Sequence, residues 1–249
     1  MQYGICHLCI VPVRSEADET SELLTQLLYG EHFKILEERK VWSKIRHAGD
    51  RSEGWVLNTQ ITKISEKEYA ETDKAEQLDC SRDLVSFVSN GNGILMPIVL
   101  GSSLHNLESL GHCYEGEKSG AIALDQLVNT AVLYLNAPYL HGGRSPFGID
   151  ASGLTQMVYK MHGVKLSRKA EDQAMQGEAL SFIEESSPGD LAFFDNKEGL
   201  IDHVGIIMKD NHIIHAFGKV RIDRIDHTGI FNSELRNYSH KLRVIKKIK

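Results

Sequence analysis

The sequence predicts an α+β protein in which small β-barrel modules precede a domain of helices packed on an antiparallel sheet. Residues 1–64 contain short apolar runs separated by turn residues, at a spacing that is typical of a small β-barrel. A glycine-rich loop begins at Pro138 and runs into an amphipathic helix after Asp150. Two apolar runs within residues 202–216 are separated by a short polar link, which predicts a β-hairpin.

Four segments are expected from the order of these patterns. The predicted domains are a β-barrel over 1–64, a helical connector over 65–83, a second small β module over 84–118 and a helix-and-sheet domain over 119–249. The strands predicted for the two β modules are 5–13, 31–38, 42–47, 55–57, 84–88 and 94–100. The last domain is expected to open with a helix over 119–135, because its apolar residues recur at helical spacing.

Composition and charge exclude several classes of function. The chain has 249 residues, of which 41% are hydrophobic and 25% charged, as in ordinary globular proteins. Its formal net charge of −6 argues against nucleic acid as a partner, because binding by counterion release needs a basic face. No stretch approaches the roughly 18 apolar residues of a membrane span, and the apolar run after Met1 lacks the features of a secretory leader. We therefore expect a cytoplasmic protein that contacts neither nucleic acid nor membrane.

The four cysteines predict neither a metal site nor a redox centre. Cys6 and Cys9 have the C-x-x-C spacing, but no second pair and no following helix accompany them. Cys80 and Cys113 stand alone in the sequence. We expect free thiols, no cofactor and no metal ion.

Position 151 begins the helix after the glycine-rich loop, where a catalytic group gains most from the backbone. Asp150 is a suitable N-cap residue for this helix. The apolar residues at helical spacing are Leu154, Met157, Val158 and Met161. Unpaired N–H groups and the helix dipole at such an end lower the pKa of a thiol and stabilise an oxyanion. The residue present is Ala151, which offers neither a nucleophile nor a proton.

Two histidines of the predicted hairpin converge if its link is the three residues 209–211. Gly205 then opposes His215, so that His203 lies on the same face as His215, one diagonal step away. A link of two or four residues would place the histidines on opposite faces. In the favoured register one imidazole can orient the other, as in a triad of nucleophile, base and orienting residue. The spacing alone fits two ordinary strand histidines equally well.

The motif Asp-Ala-Ser-Gly at 150–153 and the strand His-Val-Gly at 203–205, followed by His215, resemble the active-site segments of the NlpC-type cell-wall peptidases. These enzymes are papain-like, and their usual first motif is Asp-Cys-Ser-Gly. The resemblance covers about residues 120–249 closely, with a matching turn and strand at 187–191. It implies a papain-like fold for this part of the chain.

The resemblance also implies roles for individual residues. Ala151 occupies the position of the nucleophilic cysteine, His203 that of the general base and His215 that of the orienting residue. The substrate-binding positions that it implies are Tyr139, His141, Asp150, Ser152, Arg168 and Trp55. Trp55 belongs to segments at 11–14, 29–31 and 53–56 that resemble a bacterial SH3 domain, a module that supports or restricts the cleft of cell-wall enzymes. An ordinary core tryptophan is the alternative interpretation of Trp55.

Arg168 has two interpretations, and several other cleft positions depart from the family pattern. A guanidinium is suited to holding a substrate carboxylate bidentately, whereas a salt bridge with Glu171 or Asp172 would make Arg168 structural. The departures are His141 in place of Trp, Lys169 in place of Asp, Asp202 in place of Thr and Phe217 in place of a small residue. A lone cysteine replacement is typical of a substrate-trapping variant. Several departures together indicate a relative whose site has changed as a whole.

The activity implied by the resemblance is hydrolysis of the amide between γ-D-glutamate and a diamino acid in peptidoglycan peptides. The expected ligand is L-Ala-γ-D-Glu-diamino acid, and a cytoplasmic location would fit the recycling of released muropeptides. Because position 151 is alanine, the chain as printed is expected to be inactive. A protein that binds such a peptide without cleaving it is the alternative. A metal hydrolase built on His141, His203, His215 and Asp202 is a weaker third hypothesis, since no helical His-x-x-x-His spacing supports it.

Overall fold

The computed structural model describes residues 1–74, 79–116, 118–119 and 122–248 of the chain. The chain folds into two compact units. One comprises Met1–Ala121 with the short segment His141–Ser145, and the other comprises Ile122–Leu140 with Pro146–Lys249. Within the described residues, no helix has both the length and the apolar character that a membrane crossing requires.

The N-terminal unit begins with a seven-stranded antiparallel sheet. Its strands are β1 (Gln2–Ile5), β2 (Ile10–Arg14), β3 (Leu23–Leu28), β4 (His32–Glu38), β5 (Trp42–His47), β6 (Glu53–Leu57) and β7 (Thr62–Ile64), with a 3-10 turn at Asn58–Gln60. They lie in the order β3-β2-β6-β5-β4-β1-β7. Alternating residues such as Val11, Val13 and Ile45 are fully buried and form the core of this sheet.

The sequence prediction for this sheet joined two strands and missed a third. The strand predicted over 5–13 is two strands, because β1 pairs with β4 and β7 whereas β2 pairs with β3 and β6. At the break the backbone N–H of Cys6 donates to the carbonyl of Glu31 at 2.8 Å. Strand β3 is absent from the prediction, since its sequence LLTQLL has no period-2 alternation.

A helix and a second small β module complete the N-terminal unit. The helix is α1 (Glu66–Asp73), and the hydroxyl of Ser65 caps it by accepting the N–H of Glu68 at 3.2 Å. The strands are β8 (Cys80–Ser81), β9 (Val85–Asn90), β10 (Leu95–Val99), β11 (His112–Tyr114) and β12 (Lys118–Ser119). β9 is the central strand of the sheet β10-β9-β11, and β8 pairs with β12. Positions 75–78 of the predicted connector and position 117 lie outside the described residues.

The C-terminal unit combines helices with a second seven-stranded antiparallel sheet. Two short strands, β13 (Arg144–Ser145) and β14 (Gly148–Ile149), come before its main helix in sequence. The helices are α2 (Leu127–Val132), α3 (Ala151–Met161) and α4 (Ala170–Gln173), with 3-10 turns at Leu124–Gln126 and Ile183–Glu185. The strands of the sheet are β15 (Glu178–Leu180), β16 (Leu191–Asp195), β17 (Ile201–Met208), β18 (His212–Phe217), β19 (Lys219–Ile225), β20 (Gly229–Asn232) and β21 (Asn237–Lys247).

The second sheet closes on itself and carries α3 on one side. Its order is β15-β21-β16-β17-β18-β19-β20, and β20 also pairs with β21. Helix α3 packs against β17 and β18. Its residues Leu154, Met157 and Val158 are completely buried, which confirms the helical spacing read from the sequence. Helix α3 is thereby held against the two strands that carry the predicted histidines.

Strands β17 and β18 form the predicted hairpin in the predicted register. Gly205 opposes His215, and the link consists of residues 209–211. Asp210 and Asn211 have φ angles of 58° and 56°, a left-handed conformation that these two residue types adopt more readily than most. A Cβ atom at Gly205 would lie 3.0 Å from the Cβ of His215 and 2.7 Å from Cδ1 of Ile213, so a larger residue there would displace Ile213 and crowd His215.

The helix predicted over 119–135 is much shorter than expected. Helix α2 has six residues, and positions 120–121 of the prediction lie outside the described residues. The N–H groups of Leu133, Tyr134 and Leu135 donate to carbonyls three residues earlier, which is the 3-10 pattern that tightens a helix end. Asn136 then takes a left-handed φ of 67°. The chain therefore leaves the helix several residues after α2 in a tight turn, although its apolar spacing is helical.

Candidate active site

The start of α3 has the geometry of a catalytic helix terminus but carries no reactive side chain. The carboxylate of Asp150 accepts the backbone N–H of Gly153 at 2.7 Å, as an N-cap residue does. Ala151 is the first helical residue and is 5% exposed. The N–H groups of a first helical turn concentrate positive potential at this position. A thiol would be acidified here, whereas the methyl group of Ala151 makes no use of the potential.

Arg168 forms a buried ion pair, and its partner differs from the one expected from the sequence. Its two terminal nitrogens donate to both carboxylate oxygens of Asp150, at 3.0 and 2.7 Å. Neither Glu171 nor Asp172 is the partner of this pair, so that part of the prediction was wrong. Both lie in the first turn of α4, which follows Arg168, while the guanidinium is directed to the N-cap of α3. The bidentate pair joins the segment before α4 to the start of α3.

Ser152 belongs to the same buried group. Its hydroxyl accepts a hydrogen bond from Arg168 at 2.9 Å and lies 3.3 Å from Asp150. The side-chain amide of Gln173 donates to the carbonyl of Ser152 at 3.0 Å. Asp150, Ser152 and Arg168 thus support one another at the helix start. Their predicted contacts with a substrate stay predictions.

Three neighbouring strands supply a chain of hydrogen bonds that ends at His203. Nε2 of His203 on β17 lies 2.9 Å from Nδ1 of His215 on β18. Nε2 of His215 lies 3.1 Å from a carboxylate oxygen of Asp223 on β19. Arg221 donates to both oxygens of Asp223, at 2.6 and 3.0 Å. The structure therefore brings the two predicted histidines together and adds two residues, Asp223 and Arg221, that the sequence analysis did not identify.

The direction of this relay fixes the proton positions. Burial alone would raise the pKa of Asp223, but the hydrogen bonds from His215 and Arg221 outweigh it and lower the pKa. An ionised Asp223 only accepts, so His215 carries its proton on Nε2 and accepts from His203 through Nδ1. His203 then carries its proton on Nε2, and its Nδ1 keeps a lone pair. That lone pair is what a general base requires.

Burial keeps the imidazoles neutral. Loss of solvent lowers the pKa of His203 well below its ordinary value, and the neighbouring His240 and His215 lower it further. Burial also lowers the pKa of His215, although the hydrogen bond to Asp223 works in the opposite direction. At neutral pH His203 is therefore able to accept a proton, which is the state in which a base begins a reaction.

His240 on β21 is a further residue of the site that the sequence did not predict. Its ring stacks on His203, with centroids 3.9 Å apart and an angle of 20° between the planes. Phe217 contacts the other side of His240 edge-on, with centroids 5.0 Å apart. No sequence motif links position 240 to the hairpin, because β21 reaches the site through its pairing with β16 and β20. Asp223 could have been suspected from the sequence, because it is an acidic residue two positions before the buried Ile225 and so faces the same side of the strand.

A cleft of about 710 Å³ opens beside His203 and His240. Tyr139, which the sequence analysis placed in the cleft, lines it, as do two departures from the family pattern, Asp202 and Phe217. Burial raises the pKa of Asp202. The cleft is large enough for a short peptide.

Trp55 and His141 both belong to the N-terminal unit. Trp55 is 6% exposed on β6, and the guanidinium carbon of Arg39 lies 4.1 Å from the centroid of its ring. Nε2 of His141 lies 3.0 Å from a carboxylate oxygen of Glu22 in an exposed pair. Their predicted roles in substrate binding stay predictions.

Fold and site together define the class of protein. Residues 136–237 match the NlpC/P60 family, and residues 13–61 match the bacterial dipeptidyl-peptidase Sh3 domain. The chain therefore contains a bacterial SH3 domain followed by an NlpC/P60 domain. The family resemblance and the mixed helix-and-strand fold read from the sequence are both confirmed.

Individual relatives extend the similarity to most of the chain. The γ-D-glutamyl-L-lysine dipeptidyl-peptidase of Bacillus cereus (strain ATCC 10987 / NRS 248) is 27% identical over 230 residues, which are 79% of this chain and 68% of the relative. Dipeptidyl-peptidase 6 of Lysinibacillus sphaericus is 27% identical over 233 residues, covering 81% of this chain and 83% of the relative. The crystal structure of an NlpC/P60 family protein from Bacillus cereus ATCC 10987 has the same fold, with a TM-score of 0.76 at 18% identity over 98% of this chain and 99% of that one.

Proposed function

We propose that this chain is built to act on peptides derived from peptidoglycan, at the amide bond between γ-D-glutamate and a diamino acid. The observation that carries the proposal is the relay from Asp223 through His215 to His203, which ends at a peptide-sized cleft. The similarity to a γ-D-glutamyl-L-lysine dipeptidyl-peptidase supports this bond type, and the similarity to dipeptidyl-peptidase 6 supports a peptidase. The expected ligand is L-Ala-γ-D-Glu-diamino acid, and recycling of released muropeptides in the cytoplasm is part of the proposal.

Ala151 decides what this chain does with that ligand. In a cysteine peptidase a thiolate attacks the carbonyl, and the histidine passes the proton to the leaving amine. No acyl-enzyme can form on a methyl group, so the chain as printed does not complete this reaction. Binding without cleavage is therefore the second candidate function, and Ala151 is the observation that favours it.

The first test measures cleavage by the protein as it stands. The purified chain, freed of metal ions with a chelator, is incubated with L-Ala-γ-D-Glu-diaminopimelate, and the products are separated by chromatography. We expect no release of the diamino acid. Turnover of the tripeptide under these conditions would overturn the assignment to cysteine-type chemistry.

The second test restores the thiol with Ala151→Cys. The helix start and the lone pair of His203 should lower the thiol pKa, so that position 151 is alkylated faster than the exposed native thiol of Cys113, which is the reference in the same sample. Mass spectrometry of the peptides gives both rates. A thiol at 151 that reacts no faster than Cys113 would contradict the placement of Ala151 at an activating helix start.

The same variant separates a missing nucleophile from an altered cleft. We expect Ala151→Cys alone to cleave the tripeptide poorly, because Lys169 is a positive charge where the family has an acid, and His141 replaces an aromatic wall. Adding Lys169→Asp and His141→Trp should raise kcat/KM. Full activity of the single variant would show that these departures do not matter.

A further inference from the structure

Three imidazoles, from His203, His215 and His240, meet beside the cleft. One ring nitrogen of each lies within 4.8 Å of one ring nitrogen of the other two. His203 and His215 are buried, whereas His240 is partly exposed. His203 and His240 line the cleft, so the group is open to solutes on that side. Neutral imidazole is a preferred ligand of zinc and of other first-row transition metals, and three histidines are a common set of protein ligands for one zinc ion.

The outer side of the group has the supports that metal-binding histidines usually have. Nε2 of His215 is held by the carboxylate of Asp223 at 3.1 Å, which leaves Nδ1 directed at the group. Nδ1 of His240 lies 2.8 Å from the hydroxyl of Ser239, which leaves Nε2 without that contact. A carboxylate or hydroxyl on the second ring nitrogen is how proteins fix the orientation of a ligating histidine and raise its basicity. These contacts orient His215 and His240 as ligands, and stacking of His240 on His203 does not require the contact with Ser239.

The rings need modest movement to hold an ion. Two nitrogens that bind one tetrahedral zinc ion at its usual bond length are about 3.3 Å apart. Nε2 of His203 and Nδ1 of His215 are 2.9 Å apart in their hydrogen bond, so they must separate by a few tenths of an ångström. The proton of His203 must also move from Nε2 to Nδ1, because only a nitrogen with a free lone pair binds a metal ion. His240 must turn out of its stacked position on His203, and its partly exposed side permits this. The fourth coordination position would then face the cleft.

We propose that His203, His215 and His240 form a three-histidine site for a single divalent metal ion of the zinc type, open toward the cleft. This differs from the set considered from the sequence, which included His141 and Asp202. His141 is paired with Glu22 within the N-terminal unit, and His240 takes its place in the group.

Metal binding is tested directly on the full chain without any activity assay. The chelator-treated protein is titrated with Co²⁺, followed by its d–d absorption, and with Zn²⁺, followed by calorimetry. We expect one ion per chain and the intense visible absorption of four-coordinate Co²⁺. Absence of stoichiometric binding of both ions at millimolar concentration would overturn the proposal.

Matched variants locate the site. His240→Phe keeps a ring stacked on His203 but removes a ligand, and we expect at least a tenfold loss of affinity. Asp223→Asn alters the support of His215 and the pair with Arg221 but keeps all three ligands, and we expect an affinity loss of about 10- to 100-fold. The control is His227→Phe on an exposed turn, which should bind as the unaltered protein does. Equal affinities in all four proteins, or a loss in the control as large as that in His240→Phe, would place any bound ion elsewhere and overturn the proposal.

Discussion

Two buried polar networks, one in each unit, end in different ways. In the N-terminal unit, Arg144 donates to both carboxylate oxygens of Glu31 at 2.8 and 2.9 Å, and the N–H of Leu28 donates to the same carboxylate at 2.9 Å. In the C-terminal unit, the hydrogen bonds run from Asp223 through His215 to His203. The first network joins opposite charges at both ends. The second ends at a ring nitrogen beside a cleft.

The difference separates a structural network from one that is suited to chemistry. A bidentate ion pair with both partners buried holds segments in place, and removing either partner leaves an uncompensated charge. A directional relay instead fixes one tautomer and offers a lone pair at its open end. Two networks with similar burial therefore have different functions. The ion pair of Glu31 and Arg144 stabilises the fold, whereas the relay ends at Nδ1 of His203 beside the cleft.

The largest effect is expected from breaking the network of the N-terminal unit. Glu31→Ala removes the carboxylate that both terminal nitrogens of Arg144 contact, which should lower the free energy of unfolding by about 3–5 kcal/mol. Urea unfolding followed by fluorescence measures the change. The control is Glu37→Ala, which removes an exposed pair with Arg39 and should cost at most about 1 kcal/mol. Similar losses in both variants would mean that burial of the Arg144 pair has no special weight.

A pH series gives the next largest effect in the same unit. Burial lowers the pKa of His32 to about 4 from an ordinary value of 6.5, and the charge of nearby His47 adds to the shift. The folded pKa is below the unfolded one, so the stability contributed by neutral His32 is present above about pH 6.5 and is lost as the pH falls toward 4. The full loss is about 3 kcal/mol by linkage.

The test of this prediction is His32→Phe. The ring against Tyr69 is retained while the titrating group is removed, so the decline of the free energy of unfolding between pH 6.5 and 4 should become shallower. His227→Phe, on an exposed turn, is the control and should leave the slope unchanged. An unchanged slope in His32→Phe would show that other groups carry the acid sensitivity.

The smallest effect is expected on the alkylation rate of a thiol at position 151 when the relay is weakened. In an Ala151→Cys background, Asp223→Asn removes the negative charge that stabilises a protonated histidine pair. We expect alkylation at position 151 to slow by roughly tenfold at neutral pH, because less thiolate is present. Asp226→Asn changes an exposed carboxylate that bonds Tyr238 and is the control. Equal rates in the two variants would remove Asp223 from the relay.

The sequence predicts the parts of the site that depend on local patterns. Turn chemistry and strand alternation were enough to place His203 beside His215, and helical spacing with an N-cap placed Ala151 at the start of α3. Contacts that depend on distant strands could not be read in this way. Asp223 and His240 reach the relay through β19 and β21, whose neighbours in the sheet are set by packing of the whole unit.

Two predictions, the helix over 119–135 and the partner of Arg168, also failed because they depend on contacts with distant parts of the chain. The helix over 119–135 has helical apolar spacing, but Ser119 lies in β12, residues 124–126 form a 3-10 turn, and 3-10 bonds replace the last turn at Leu133 to Leu135. Arg168 has acidic neighbours in sequence, but its guanidinium is paired with Asp150, 18 residues away. Spacing shows what a segment is able to form, whereas the partner it finds depends on the rest of the fold.

The link at 209–211 gives the hairpin an unusual sensitivity to length. Successive residues of a strand face opposite sides of a sheet, so a one-residue change in this link that shifted the pairing register would turn His215 away from His203. No residue of the relay would be altered, yet the relay would be broken and Asp223 would lose its histidine partner. In this domain a one-residue shift in strand register is therefore as disabling as the loss of a histidine, even in a sequence that keeps every site residue.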